Sequence, residues 1–276
     1  MRGEFHIHTT YSDGALNVDE ILKFLKGKLD YFSITDHDYI DGSIEAFNKA
    51  KDYSLKAIIG VEVSTYLNDE SVHILAYFKD DKDLEPLKEK LAFIASERVK
   101  RLYIIKSRLM EYFNIDLDVT NLLQKHTITR GSIAREIISQ GYKYTIEDLF
   151  KNVIGVDCKA YYPSTKIMPM EAINLIHKCH GLAVLAHPVL LKKNKIDDIL
   201  LMPFDGIEAI YPANTESEEK LFKEKAHKKK LFITCGNDFH YFGDPKHADL
   251  LTLGLYDEDL EIFIRKVNEL KWMLEN

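Results

Sequence analysis

With 276 residues, 46% of them hydrophobic, the chain is long enough for one large domain, or one domain carrying an insertion, and should bury a substantial core. A formal charge of -7 excludes a surface given over wholly to nucleic-acid phosphates, which requires clustered Lys and Arg, but leaves room for a small local basic site. Cys158, Cys179 and Cys235 have neither the even count nor the close spacing of a disulfide framework or zinc site; with no leader-like N-terminus and no apolar run of membrane-spanning length, they predict reduced, mostly buried thiols in a cytoplasmic protein.

Phe5 to Thr9 reads as the first strand, and it carries His6 and His8 on one face because alternate side chains of a strand point the same way. It runs into the loop Thr9-Thr10-Tyr11-Ser12-Asp13-Gly14. Asn17 to Lys28 is predicted as a helix, with an Asn cap and Glu20 three residues on. Short apolar, β-branched or aromatic runs at Tyr31 to Thr35, Ala57 to Val63 and Val72 to Phe78 predict three further strands. Asp83 to about Asp157 contains no convincing strand. A long, charge-rich helical pattern reaches Phe113, and shorter ones follow at Ser132 to Ser139 and Ile146 to Phe150. Pro169 opens a helix to Cys179. The last strands are predicted at Leu182 to Ala186, Gly206 to Ile210 and Leu231 to Cys235. Strands alternating with helices imply parallel pairing and an α/β architecture. The simplest division is a first part over 1–80, a helical insertion over 81–158, and a second part over 159–276 that completes one discontinuous domain.

In a parallel barrel, functional residues gather at the C-terminal ends of strands and in the following loops. His6 and His8 end the first run, Asp13 lies in its loop, His37 follows the second, and Glu62 sits late in the third. His187 follows the fifth run, and Asp238 and His240 follow the seventh. His73 is a partial exception, lying at the start of its run. Singly, each has an ordinary explanation: Asp13 in Ser-Asp-Gly is a turn former, His187 precedes a proline, and Glu62 could pair with a lysine. Jointly, six of eleven histidines with two aspartates and a glutamate at successive strand ends indicate a metal site. The other five, His126, His177, His180, His227 and His247, read as bystanders on helix-like or loop segments. Imidazole and carboxylate donors without thiolate suit manganese, iron or zinc, and nine donors suit two or three divalent ions sharing carboxylates. Asp36 and Asp38, flanking His37, read as groups that orient ligands, or else as caps of the next turn.

The set His-x-His-Thr-x-x-Ser-Asp-Gly, Thr-Asp-His-Asp, Gly-x-Glu, a His before an apolar strand, Leu-Ala-His-Pro and Gly-x-Asp-Phe-His resembles, in order and over nearly the whole chain, the PHP family of polymerase and histidinol phosphatase metallohydrolases. The insertion, with Arg130-Gly-Ser-Ile-Ala-Arg135 and Lys159-Ala-Tyr-Tyr-Pro163, resembles the family's TrpH-like branch, which includes nucleoside 3',5'-bisphosphate phosphatases and 5'-to-3' exoribonucleases on short RNA. The resemblance implies a distorted seven-stranded β/α barrel with a helical insertion and a trinuclear site. It assigns His6, His8, Glu62 and Asp238 to one ion, Glu62, His73 and His187 to a second, and Asp13, His37 and His240 to the third. One departure stands out: the branch usually has a histidine where this chain has Ser132, which cannot carry charge. Substrate choice or affinity should differ accordingly, while the metal chemistry should survive.

The expected reaction is hydrolysis of a phosphomonoester or terminal phosphodiester of a nucleotide or short RNA, with a metal-bound hydroxide held by Asp13, His37 and His240 attacking phosphorus. Arg130 and Arg135 are candidates for a second phosphate, since guanidinium offers a planar fork of donors, with Lys159 a weaker one. At five positions apart on a helix the two arginines share no face well, and either could pair instead with Glu136 or Glu147. Tyr161, Tyr162 and Tyr211 could stack on a base or simply pack, and the basic run Lys223 to Lys230 reads as a solvated helix face. The alternatives are a histidinol-phosphate or other small-molecule phosphatase, and a metal-stabilised module without catalysis. No membrane association and no obligate protein partner are expected.

Overall fold

The computed structural model of the chain describes residues 1–163 and 167–270. The chain forms two compact units, Met1–Glu89 with Lys166–Asn276, and Lys90–Thr165. Its elements begin β1 (Arg2–Glu4), α1 (Val18–Leu25), β2 (Tyr31–Phe32), α2 (Asp41–Lys49), β3 (Lys56–Ala57), β4 (Ile59–Leu67) and β5 (Glu70–Phe78). Helices α3 (Glu85–Phe113), α4 (Thr120–Leu123), α5 (Arg130–Ser139) and α6 (Ile146–Asn152) follow without a strand between them. The chain continues through α7 (Pro169–Lys178), β6 (Leu182–Leu185), α8 (Ile196–Ile199), β7 (Gly206–Ile210), α9 (Glu216–Lys229), β8 (Phe232–Cys235), β9 (Leu255–Tyr256) and α10 (Asp257–Glu269).

The first unit is mixed α/β, and its strands form two sheets, β3-β2-β1-β9 and β4-β5-β6-β7-β8, in place of one closed seven-stranded barrel. Isolated bridges Ile7–Phe239 and His37–Glu62 join segments of the two sheets beyond the regular ladders. Pairing is parallel through β1-β2-β3 and β6-β7-β8, as alternation with helices requires, but β4-β5, β5-β6 and β1-β9 are antiparallel. The reason for the first exception is local. Only Asn68 and Asp69 separate β4 from β5, both with positive φ (48° and 59°), the geometry of a two-residue hairpin turn, and so short a link cannot make a parallel crossover.

Helix α1 starts where the sequence indicates: Asn17 accepts from the Glu20 backbone N–H while the Glu20 carboxylate accepts from that of Asn17. Its Val18, Ile21, Leu22 and Leu25 recur at helical spacing and pack with Ile7, Phe32, Ile34 and Phe239 in one core beneath the β1 and β8 loops. The second unit has its own core, in which Leu102, Ile105 and Leu109 of α3 meet Ile133 and Ile137 of α5 and Leu149 of α6. The three cysteines are unpaired, and among the described residues no helix is long and apolar enough to cross a membrane.

Candidate metal centre

Strand β1 stops at Glu4, so His6 and His8 lie just beyond it rather than within it. The segment stays extended because backbone bonds pass to the other sheet: Phe5 N–H donates to Cys235 O (3.1 Å) and His8 N–H to Phe239 O (2.9 Å). Phe5 and Ile7 face one side and the imidazoles the other, all fully buried. His73 ceases to be an exception once β5 is antiparallel. It sits opposite Ser64 of β4, so the start of β5 lies at the edge where β4 ends.

Of the nine sequence-picked donors, five imidazoles converge on Glu62. Its Oε2 lies 3.3 Å from His6 Nε2, 3.3 Å from His8 Nε2 and 2.8 Å from His37 Nδ1. Its Oε1 lies 2.8 Å from His73 Nδ1 and 3.0 Å from His187 Nε2. Asp238 Oδ1 closes the other side, 3.4 Å from His6 Nε2 and 3.0 Å from His8 Nε2, and Asp13 Oδ1 lies 3.3 Å from His240 Nε2. Ligand atoms of His6, His8, Glu62 and Asp238 lie within 4.8 Å of one another, as do those of His8, Asp13, His37 and His240, and those of His37, Glu62 and His73.

This arrangement fits cations. His6 Nδ1 donates to Glu208 Oε1 (2.9 Å), which leaves Nε2 aimed at two carboxylate oxygens. His6 Nε2, His8 Nε2, Glu62 Oε2 and Asp238 Oδ1 are buried yet make no hydrogen bond, although they approach to 3.0–3.4 Å. That spacing is close to the roughly 3.4 Å edge of a tetrahedral shell with bonds of about 2.1 Å. Divalent ions held by these residues would satisfy every one of those atoms.

Charge in the cluster is mutual. Burial works to raise the Glu62, Asp13 and Asp238 carboxyls, but the surrounding imidazoles outweigh it and hold all three well below the usual carboxylate range. Burial likewise opposes His8, and the close approach of Asp238 and Glu62 nevertheless pushes it up to about 10. His73, where burial prevails over Glu62, is lowered instead. Backbone strain gathers here as well: Asp38, His187 and Asp238 all have positive φ (50°, 25° and 51°), a conformation costing about 1–3 kcal/mol at a non-glycine residue.

Supporting residues surround the cluster. Asp36 accepts from Thr9 N–H (2.8 Å), Thr9 Oγ1 (2.7 Å) and Ser12 Oγ, and thereby shapes the loop that presents Asp13. Asp38 accepts from Ser64 N–H (2.7 Å), locking the His37 loop to β4. Gly236 permits the closest approach, since a Cβ there would meet His6 Cβ at 2.1 Å and Glu208 Oε1 at 2.3 Å. Glu208, wholly buried, was not singled out in the sequence; its position mid-strand in Gly-Ile-Glu-Ala-Ile, where an acid would otherwise be unpaired, was the available signal.

Two expectations change. Tyr211 is buried at 3% exposure and donates its hydroxyl to Asp238 Oδ2 (3.0 Å), so it braces the centre and is not presented for base stacking. His247 is no bystander: its ring stacks on His240 with centroids 4.4 Å apart, and its Nε2 lies 3.6 Å from Asp238 Oδ2. Of the others, His177 bonds Asp205 (2.8 Å), His180 lies 3.9 Å from Asp83, and His227 occupies the last turn of α9. In α9, Lys223 pairs with Glu219 and Lys225 with Asp197, consistent with a solvated face.

Within the second unit, Arg130 opens α5, lying over the rings of Tyr161 (5.4 Å) and Phe150 (5.7 Å), and Arg135 lies further along the same helix. Tyr162 is covered by Arg108, and Lys159 lies over Tyr112. Glu136, a possible ion-pair partner, accepts from Asn121 and Gln140. Two arginines missed in the sequence, Arg98 and Arg101, are each only 7% exposed and donate to the carbonyls of Ile128 and Tyr162. Burial, then Arg130 and Arg98, lower Arg101 to about 9, evidence of a crowded cationic group. Ser132 has a structural task here: its hydroxyl and the Thr129 hydroxyl each accept the other's backbone N–H at 2.9 Å, capping α5.

A model of the PHP domain matches residues 4–156. The chain belongs to the PHP domain family. Relatives of this PHP protein include the 5'-3' exoribonuclease Rnm of Escherichia coli, 28% identical over 86% of the chain and 84% of the relative. The 3',5'-nucleoside bisphosphate phosphatase of Chromobacterium violaceum is 24% identical over 87% of the chain and 88% of the relative. A crystal structure described as a metal-dependent phosphoesterase from Bifidobacterium adolescentis superposes with a TM-score of 0.83 at 25% identity, covering 96% of each chain. The PHP protein is thus a metal-dependent phosphoric ester hydrolase.

Proposed function

We propose that this PHP protein hydrolyses a phosphate ester of a nucleotide-like substrate, a nucleoside 3',5'-bisphosphate or a short RNA, at a centre of three divalent ions. The observation that carries the reading is the five-histidine ring around the single carboxylate of Glu62, flanked by Asp238 and Asp13. His6, His8, Glu62 and Asp238 would hold one ion; Glu62, His73 and His187 a second; Asp13, His37 and His240 the third. When bound, manganese, iron or zinc ions supply an activated water and neutralise the charge that builds on the phosphoryl oxygens.

The chain's own residues set the geometry. Glu62 offers one oxygen to each side, Tyr211 and Glu208 fix Asp238 and His6, and Asp36 holds the loop bearing Asp13. Arg130 and Arg135, with Lys159, are the candidates for binding a phosphate group within the second unit, supported by the crowding of Arg98, Arg101 and Arg130 there. Ser132 caps α5, so any contribution a histidine would make there is missing, and weaker or altered substrate selection follows. The cysteine usage fits a cytoplasmic location.

The test is a substrate panel with Mn²⁺, Fe²⁺ or Zn²⁺: a nucleoside 3',5'-bisphosphate, a 5'-phosphorylated short RNA, a nucleoside monophosphate and histidinol phosphate. Preference for one of the first two is expected. Preference for histidinol phosphate would sink the nucleotide reading, and no turnover under any condition would favour a non-catalytic module.

A further inference from the structure

The loop after β8 carries a feature that the nine-donor set does not use. The imidazoles of His8, His240 and His247 form a stack, with His240 in the middle: its centroid lies 4.2 Å from that of His8, at 23° between planes, and 4.4 Å from that of His247, at 22°. The outer ring is itself anchored. His247 Nδ1 donates to Asp244 Oδ2 (2.9 Å), and Asp244 Oδ1 accepts from Lys246 N–H (2.9 Å), so one carboxylate fixes both the ring and its backbone. The Ala248 N–H to Asn237 O bond (3.1 Å) and the Leu253 N–H to Asn237 Oδ1 bond (2.9 Å) tie this loop back to the segment bearing Asp238 and His240.

His247 does not look like a ligand. Imidazole lone pairs lie in the ring plane, so two near-parallel stacked rings cannot both aim at one ion, even though Asp238, His240 and His247 offer atoms within 4.8 Å of one another. What the stack can do is restrict rotation. His240 Nδ1 donates to Asp238 O (2.7 Å), and with the ring clamped between His8 and His247 its Nε2 is held toward Asp13.

We propose that His247, anchored by Asp244, is a positioning residue that keeps the His240 ring aimed into the metal centre. The proposal rests on the metal reading above. It is tested by chelator competition for Mn²⁺ and Zn²⁺ on the full chain, for wild type, His247→Ala, His247→Phe and Asp244→Asn, with circular dichroism confirming the fold. His247→Ala should weaken the most weakly held ion by about 10- to 100-fold, the range for residues that orient ligands. His247→Phe, which restores a flat ring but not the bond to Asp244, should recover part of the lost affinity, and Asp244→Asn, which keeps an acceptor, should stay closer to wild type. Unaltered binding in His247→Ala would overturn the proposal alone. Loss of an ion in His247→Phe equal to that in His247→Ala would overturn it in favour of direct ligation. A wild-type chain that binds neither metal would overturn both the metal reading and this proposal.

Discussion

Glu208 Oε1 stands 2.9 Å from Nδ1 of His6, and the same carboxylate accepts the His187 backbone N–H through Oε2 at 2.8 Å. One buried acid thus sets the ring of a residue in the first loop and the backbone of one 181 positions later. Glu208→Ala strands both donors in a dry site and should lower metal affinity by about 10- to 100-fold. Glu208→Gln keeps an acceptor and should lose less. Chelator competition distinguishes them, and equal affinity in all three proteins would count against the orienting role.

Asp13 and His240 meet at 3.3 Å and belong to the group assigned to the third ion. Asp13→Asn and His240→Ala should each reduce kcat by more than about 100-fold, beyond what a merely supporting residue yields. Hydrolysis at the wild-type rate in either variant would remove it from the site.

Without metal, the carboxylates favour the protonated rings of His6, His8, His37 and His187, with His8 pushed up to about 10. A divalent ion must displace such protons. Metal binding at pH 7 should therefore release protons, and affinity should fall on acidification. Titration calorimetry in buffers of different ionisation heat reads the number released, and a value of zero would contradict the charge state. In the metal-free protein the sign for stability follows from a raised histidine. The contribution of His8 is fully present below the unfolded value near 6.5 and is lost as pH rises toward 10.

Glu4 is fully buried, and burial, partly offset by bonds from Asn237 and Leu251 N–H, raises its carboxyl to about 7. A carboxyl raised on folding stabilises the fold below its unfolded value near 4.5, and that contribution disappears as pH rises through 7. Glu4→Gln should then be more stable than wild type at pH 8, by up to about 2–3 kcal/mol, and show little advantage at pH 4.5. Denaturant unfolding at the two pH values checks the difference.

Ser132 closes the capping box of α5. Ser132→Ala should cost about 1 kcal/mol of stability. Ser132→His tests its other consequence: restoring the histidine at this position should alter KM for a nucleoside 3',5'-bisphosphate while leaving metal content unchanged. Unchanged KM would confine Ser132 to its structural task.

Much of the fold was legible because local signals agree with tertiary structure. Asn17 with Glu20 marks α1, Pro169 marks α7, and the apolar runs at Ala57–Val63 and Val72–Phe78 mark β4 and β5. The direction of β5 was misjudged because the Asn68-Asp69 turn is a weaker hairpin signal than one containing glycine. Strand β9, two residues long, carries too little periodicity to be seen. The nine candidate donors were found because polar residues at strand ends contrast with the apolar runs before them. Glu208, Tyr211 and His247 were not, because an acid in a strand, a tyrosine after one and a loop histidine each have commoner uses.

The sequence by itself determined which donors exist, their chemical type, and that the middle of the chain is helical, since composition and short-range spacing carry that information. Only the tertiary structure decided that Glu62 is the hub of five imidazoles and that Glu208 and Tyr211 brace His6 and Asp238. It also decided that His247 joins a stack with His240 and His8. These relationships span residues far apart in the chain and depend on strand direction and register, where a shift of one position turns a side chain to the opposite face.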